Sequence, residues 1–120
     1  MAKQIFGRAF IRVNGITMAS LPGSSKLDPG GVERSPVVGD AGYLGFTEKP
    51  VHAEIECEIA IDPATDLVAL GNIVDATITF EADTGQVWVM RGAAAAGPVK
   101  AQSGDGKAPL KFIGAAVDQL

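Results

Sequence analysis

Residues 51–61 carry the clearest pattern in the chain. Val51, Ala53, Ile55, Cys57, Ile59 and Ile61 are apolar; His52, Glu54, Glu56 and Glu58 between them are polar, with Ala60 the single break. Period-two alternation over this length predicts a β-strand with one face in a core and three carboxylates in a row on the other. Like charges along a strand repel one another, so the row predicts either a compensating neighbour or a use for the charge.

The same periodicity recurs elsewhere. Residues 5–14 predict a strand with Ile5, Ala9, Ile11 and Val13 on one face and Phe6, Arg8, Phe10 and Arg12 on the other. Asn14-Gly15 predicts a tight turn, with the chain returning as a short strand over 16–20. Ala76, Ile78 and Phe80 alternate with Thr77, Thr79 and Glu81, and Asp83-Thr84-Gly85 predicts a turn with glycine at positive φ. Val87 to Met90 is apolar on both faces, which predicts a strand covered on both sides, with Trp88 in core or interface packing. Ile55, Ile59, Ile78, Phe80 and Val87 form the predicted core. Leu110, Phe112 and Gly114 mark a last strand before a short tail. One helix is expected over 62–71, with Asp62 as N-cap, Pro63 in the first turn, Gly71 at the end, and Leu67 and Leu70 against the sheet.

Two stretches lack this order. Residues 21–50 hold Pro22-Gly23, Pro29-Gly30-Gly31 and glycines at 39, 42 and 45, with Pro36 set to interrupt long strand pairing. The stretch nonetheless carries Val32, Val37, Val38, Tyr43, Leu44 and Phe46, apolar area that a disordered segment does not ordinarily hold. Its part from about Asp28 to Lys49 predicts a long assembly loop that orders on a neighbouring copy. Residues 92–109 are low in complexity and predict a mobile loop.

Composition narrows the function. The 120 residues fit one domain, 1–120, long enough for a core without disulfides or a metal. Fourteen acids against ten bases give a net charge of −4, a poor basis for tight phosphate binding. Arg8 and Arg12 beside two phenylalanines are too few for a nucleic-acid platform. Cys57, the only cysteine, lies on the apolar side of its strand and reads as a small buried hydrophobe, with no basic setting to activate a thiolate. His52 is the only histidine and is placed to hydrogen-bond Glu54, but one histidine builds no histidine-rich metal site. Asp62 and Asp66 read as caps, not as a metal pair. No serine has a nucleophile context, and no aromatic-walled cleft accompanies the glutamates. No catalytic residue, metal or cofactor is expected. Neither a signal-peptide core nor a membrane-spanning run is found, so a cytoplasmic origin without a membrane anchor is expected.

FGRAFIRVNG, LPGSSKLDPGGVERSPVVGDAGYLGFTE, ECEIAID, LVALGNIVDATITFEADTGQVWVMR and KFIGAAV follow one another in this chain. Together they resemble the tail tube proteins of contractile-tailed, Mu-like bacteriophages, most specifically at GGVERSPVVGD and DATITFEADTGQ. The resemblance implies a mainly β fold, two packed antiparallel sheets in a sandwich or small barrel, with one short flanking helix and a long assembly loop. It implies hexameric rings stacked into a hollow virion tube, assembled in the host cytoplasm with sheath, baseplate or initiator and tape-measure proteins as partners. With four strands per subunit, such a ring has a backbone diameter near ~50 Å and a bore of about 40 Å, which admits duplex DNA. Glu54, Glu56 and Glu58 are then the candidate lumen wall, repelling phosphate as DNA passes without specific binding; the Thr77, Thr79, Glu81 face is the alternative. Related expectations are a bacteriocin or type VI secretion tube and, from a different class, a monomeric β-sandwich binding module.

Overall fold

The structure, a computed structural model, describes residues 3–21, 23–101, 103–104 and 106–120. Among the described residues ten strands and one helix follow in the order β1 (Ala9–Val13), β2 (Ile16–Thr17), β3 (Lys26–Asp28), β4 (Gly31–Gly39), β5 (Gly42–Val51), β6 (Ala53–Ala60), α1 (Leu67–Gly71), β7 (Ala76–Ala82), β8 (Val87–Ala95), β9 (Lys107–Gly114) and β10 (Val117–Gln119). All pairings are antiparallel, in the order β2-β1-β7-β8-β9-β6-β3, with β10 also on β8 and β4-β5 as a separate pair.

The long sheet folds onto itself into two packed layers. Strand β8 pairs with β7 along its first part and with β9 at Ala94 and Ala95. Strands β9 and β10 together form one bent ribbon: β9 lies on β6, and β10 continues along β8 up to the bond from Leu120 N–H to the Val87 carbonyl. On the far side the chain after β2 crosses to β6. Leu21 N–H bonds the Glu58 carbonyl, Ala60 N–H bonds the Ala19 carbonyl, and Ser20 bridges Ile59. The two layers thus join at both sides, which leaves few unpaired edges.

The core lies where the alternation placed it. Ile11, Ile55, Ile78, Phe80, Met90 and Phe112 are essentially inaccessible, as is Ile59. Val87 is different: it pairs with Glu81 on the outward face and is only half-buried. The register sets Trp88 opposite Phe80, so Val87 lies on the face opposite to Trp88; Val89, opposite Thr79 on that same face, is nonetheless buried. A shift between Ala76 and Ile78, with Gly92 at φ 66, then lets both Met90 and Ala93 face inward. Phe6, Phe80 and Trp88 form an aromatic cluster with centroids 5.8 to 6.3 Å apart.

The turns at Asn14-Gly15 (φ 51 and 85) and at Gly85 (φ 95) are as predicted. The first strand is shorter than expected, since residues 5–8 lie outside it and Ile5 is exposed. The helix is also shorter, and its N-cap is Asp66, whose carboxylate accepts from Ala69 N–H at 3.1 Å. Asp62 instead closes a turn: it accepts from Ala64 N–H and Thr65 Oγ1, and its own N–H donates to Thr65 Oγ1. These bonds satisfy the groups a helix would use, so helix formation waits four residues. Leu67 and Leu70 pack on the core. The region expected to be a loop from 92 is strand to Ala95 and again from Lys107. Pro22, Gln102 and Asp105, within turns and loops expected from sequence, fall outside the described residues.

The largest correction concerns residues 31–51, an extended hairpin and not a loop. Asp40 and Ala41 turn the chain between Gly39 and Gly42. Pro36 pairs with Phe46 and Pro50 with Val32, and Arg34 pairs with Glu48 between them. In one class of antiparallel pair the N–H groups point away from the partner strand. Both prolines fall in the same set, so a ribbon with nothing beyond its edges loses no ladder bond to either. The hairpin makes almost no contact with the rest of the chain. The radius of gyration, 17.6 Å, accordingly exceeds the ~13–14 Å of a compact chain of this length.

Candidate functional site

Two surfaces carry the residues singled out by the sequence. The first is the outward face of β3, β6 and β9. Alternation in β6 buries Ala53, Ile55, Cys57 and Ile59 and leaves Glu54, Glu56 and Glu58 half-exposed together. The three carboxylates are not alone. Lys107 Nζ lies 3.3 Å from Glu58, and Lys111 Nζ lies 3.4 Å from Glu54 and 3.8 Å from Glu56. Lys26 of β3 stands directly across from Glu56. The His52 ring sits 2.6 Å from Glu54.

The Glu54 carboxyl is held below the ordinary glutamate range, first by its hydrogen bond with His52 and, against some desolvation, by Lys111. With Asp28 included, this face sets four carboxylates against three ammoniums and one imidazole. It is nearly balanced: of the two outcomes the row of like charges predicted, the compensating neighbour is present. The lysines lie in GKAPLKF, where Lys107, Pro109 and Lys111 alternate with Ala108, Leu110 and Phe112. That alternation was available in the sequence, but the strand was expected to begin only at Leu110.

The second surface is the β4–β5 hairpin. Val32, Val37, Val38, Tyr43, Leu44 and Phe46 are all exposed, from 40% for Val37 to 70% for Leu44. Pairing gathers most of them on one side. Val32, Pro36 and Val38 alternate along β4, facing Pro50, Phe46 and Tyr43. The register shifts between Val37 and Val38, leaving Leu44 as the extra residue, folded over Gly39. Arg34 crosses the stripe, bonded to Glu48 at 3.3 Å and lying 5.7 Å from the centroid of Phe46. At the base, Gly30 (φ 70) abuts the backbone of His52 and Ala53, so hairpin and β6 meet in close backbone contact.

The remaining candidates are structural. Cys57 is buried, and burial pushes its thiol up to about 11, far from a reactive thiolate. Arg12 is ion-paired with Glu81 on the outer face of β1 and β7. Among the described residues no group of three or more His, Cys, Asp or Glu is placed to hold a metal ion. No helix among them is long and apolar enough to cross a membrane.

Solved structures with a similar fold include the anti-feeding prophage cap, a tube-terminating cap, at TM-score 0.69 and 10% identity, covering 100% of this chain and 94% of that one. The sheath/tube terminator of an extracellular contractile injection system, PVC, superposes at 0.68 with 13% identity over 100% and 98% of the two chains. A chain of the PVC sheath-tube complex superposes at 0.63 with 10% identity, over 94% and 88%. At these identities the likeness is one of fold. In sequence, the chain is 43% identical over 112 residues to the Mu-like prophage FluMu tail tube protein of Haemophilus influenzae, covering 93% of this chain and 92% of that one. It is 38% identical over 102 residues to the tail tube protein of Escherichia phage Mu, covering 82% of each. The model of the phage tail tube protein family matches residues 2–119. The chain therefore belongs to the phage tail tube protein family, whose members are structural, non-enzymatic components of the virion tail.

Proposed function

We propose that this tail tube subunit assembles with itself into hexameric rings that stack into a hollow conduit for DNA, and that the β4–β5 hairpin is its assembly element. The observation that carries the reading is the hairpin: six exposed large apolar side chains on a ribbon with almost no contact to its own chain. An exposed apolar patch of this kind marks an interaction surface. The sheath, the baseplate or initiator and the tape-measure protein are the further partners in this reading, with assembly in the host cytoplasm.

Glu54, Glu56 and Glu58 face the lumen in this arrangement. Strands β3, β6, β9 and the end of β8 supply the four strands per subunit that a ring of this bore requires. Ion pairing suits such a wall to the passage of DNA. Lysines engaged by glutamates are poorly available to phosphate, and the small acidic excess keeps DNA from adhering.

The test is electron microscopy of the concentrated protein, parent against a Val37→Ser, Val38→Ser, Phe46→Ser variant. The parent forms tubes and the variant, with an unchanged melting temperature, forms none. Hydrogen exchange adds a second readout: amides of 31–51 exchange fast in the free subunit and slowly in the tube. Equal protection in both states, or tubes from the variant, overturns the reading.

A further inference from the structure

Resting on that reading of the hairpin, we infer where it docks: in the groove between the β1–β2 turn and α1 of the next copy along the tube. The groove is an open depression of about 520 Å³ whose apolar wall includes Val13, Ile16, Met18, Leu70 and Ile73. Ile16 is 71% exposed on its rim, where a lone subunit gains nothing from an isoleucine.

Placement selects the occupant. The hairpin leaves the barrel at the Ala53 end of β6, beside Gly30 and Val51. The groove lies at the opposite end, lined by Ala60 and the residues that follow. A projection at one end and a receptor at the other make a head-to-tail contact that never closes on itself, the geometry of a filament and not of a two-fold dimer. The hairpin's 21 residues, from the 9 of β4, the 10 of β5 and the two of the turn, match the roughly 20–30 residues a side of a stable interface.

Charge agrees. The groove carries the carboxylates of Asp62 and Asp66 and no basic residue. The apolar stripe of the hairpin offers the donors of Arg34, which gives only Nε to Glu48, and the exposed hydroxyl-bearing ring of Tyr43.

The experiment compares Ile16→Glu/Ala69→Glu, two exposed groove positions, with the hairpin variant above. Both melt like the parent and neither forms tubes. The groove variant retains its hairpin, so at about one-tenth of the parent's concentration it enters parent grooves, offers none to the next copy, and shortens tubes severalfold. Normal tubes from the groove variant alone, with the hairpin variant still blocked, overturn the docking site and leave the assembly role standing. Tubes from the hairpin variant overturn both. A groove variant that melts like the parent yet leaves parent tube length unchanged also overturns the site.

Discussion

The imidazole of His52 and the carboxylate of Glu54 lie 2.6 Å apart at the junction where the hairpin meets β6. His52 is the one residue between β5 and β6, and Glu54 is also held by Lys111 from the adjacent strand. One carboxylate therefore ties the base of the hairpin to the charged sheet face.

This tie predicts an acid-side loss of stability. Glu54 has a depressed pKa in the folded chain. Its contribution is fully present above the unfolded value, near about 4.3, and is lost as pH falls through the lower folded value. Thermal melts of the parent and Glu54→Gln should differ by a steady amount above the unfolded value and converge as pH falls past the lower folded one. A constant gap across that range would rule out Glu54 as the titrating group.

Lys111 serves two glutamates, so its replacement should have graded effects. Lys111→Ala should cost less than about 1 kcal/mol, as befits exposed ion pairs. Lys111→Glu should cost more, because it adds a further carboxylate beside Glu54, Glu56 and Glu58. Urea denaturation at low and high salt checks the cause: the Lys111→Glu deficit should shrink as salt screens the repulsion.

The core should separate positions that share the same hydrophobic strand pattern. Ile78→Ala and Phe80→Ala remove side chains with no solvent access and should each cost about 2–5 kcal/mol. Val87→Ala, on the outward face, should cost clearly less. Equal losses at all three positions in denaturant titrations would contradict the β7–β8 register.

Gly30 should tolerate no side chain. A Cβ there would stand 2.8 Å from the backbone of His52 and Ala53, at φ 70. Gly30→Ala should cost on the order of 1–3 kcal/mol and raise hydrogen exchange at the hairpin base. Gly97→Ala, with nothing within 4 Å and an ordinary φ, is the control and should be near neutral.

Alternation is a property of neighbouring residues, and wherever it is strict the sequence alone determined strand and buried face. Residues 53–60 and 76–82 show this, as does the Asn14-Gly15 turn, whose positive φ values are local demands. Order and identity of residues also sufficed for the family. What the tertiary structure decided depends on partners distant in the chain. Lys107 and Lys111 neutralise the glutamate row only because β9 pairs with β6 in one register. Val87 faces outward only because the β7–β8 register sets Trp88, and not Val87, opposite Phe80. Glycines and prolines at 29–50 signal turns one residue at a time, yet cross-strand pairing makes a hairpin of them, because a two-stranded ribbon leaves one side of each strand free of ladder bonds.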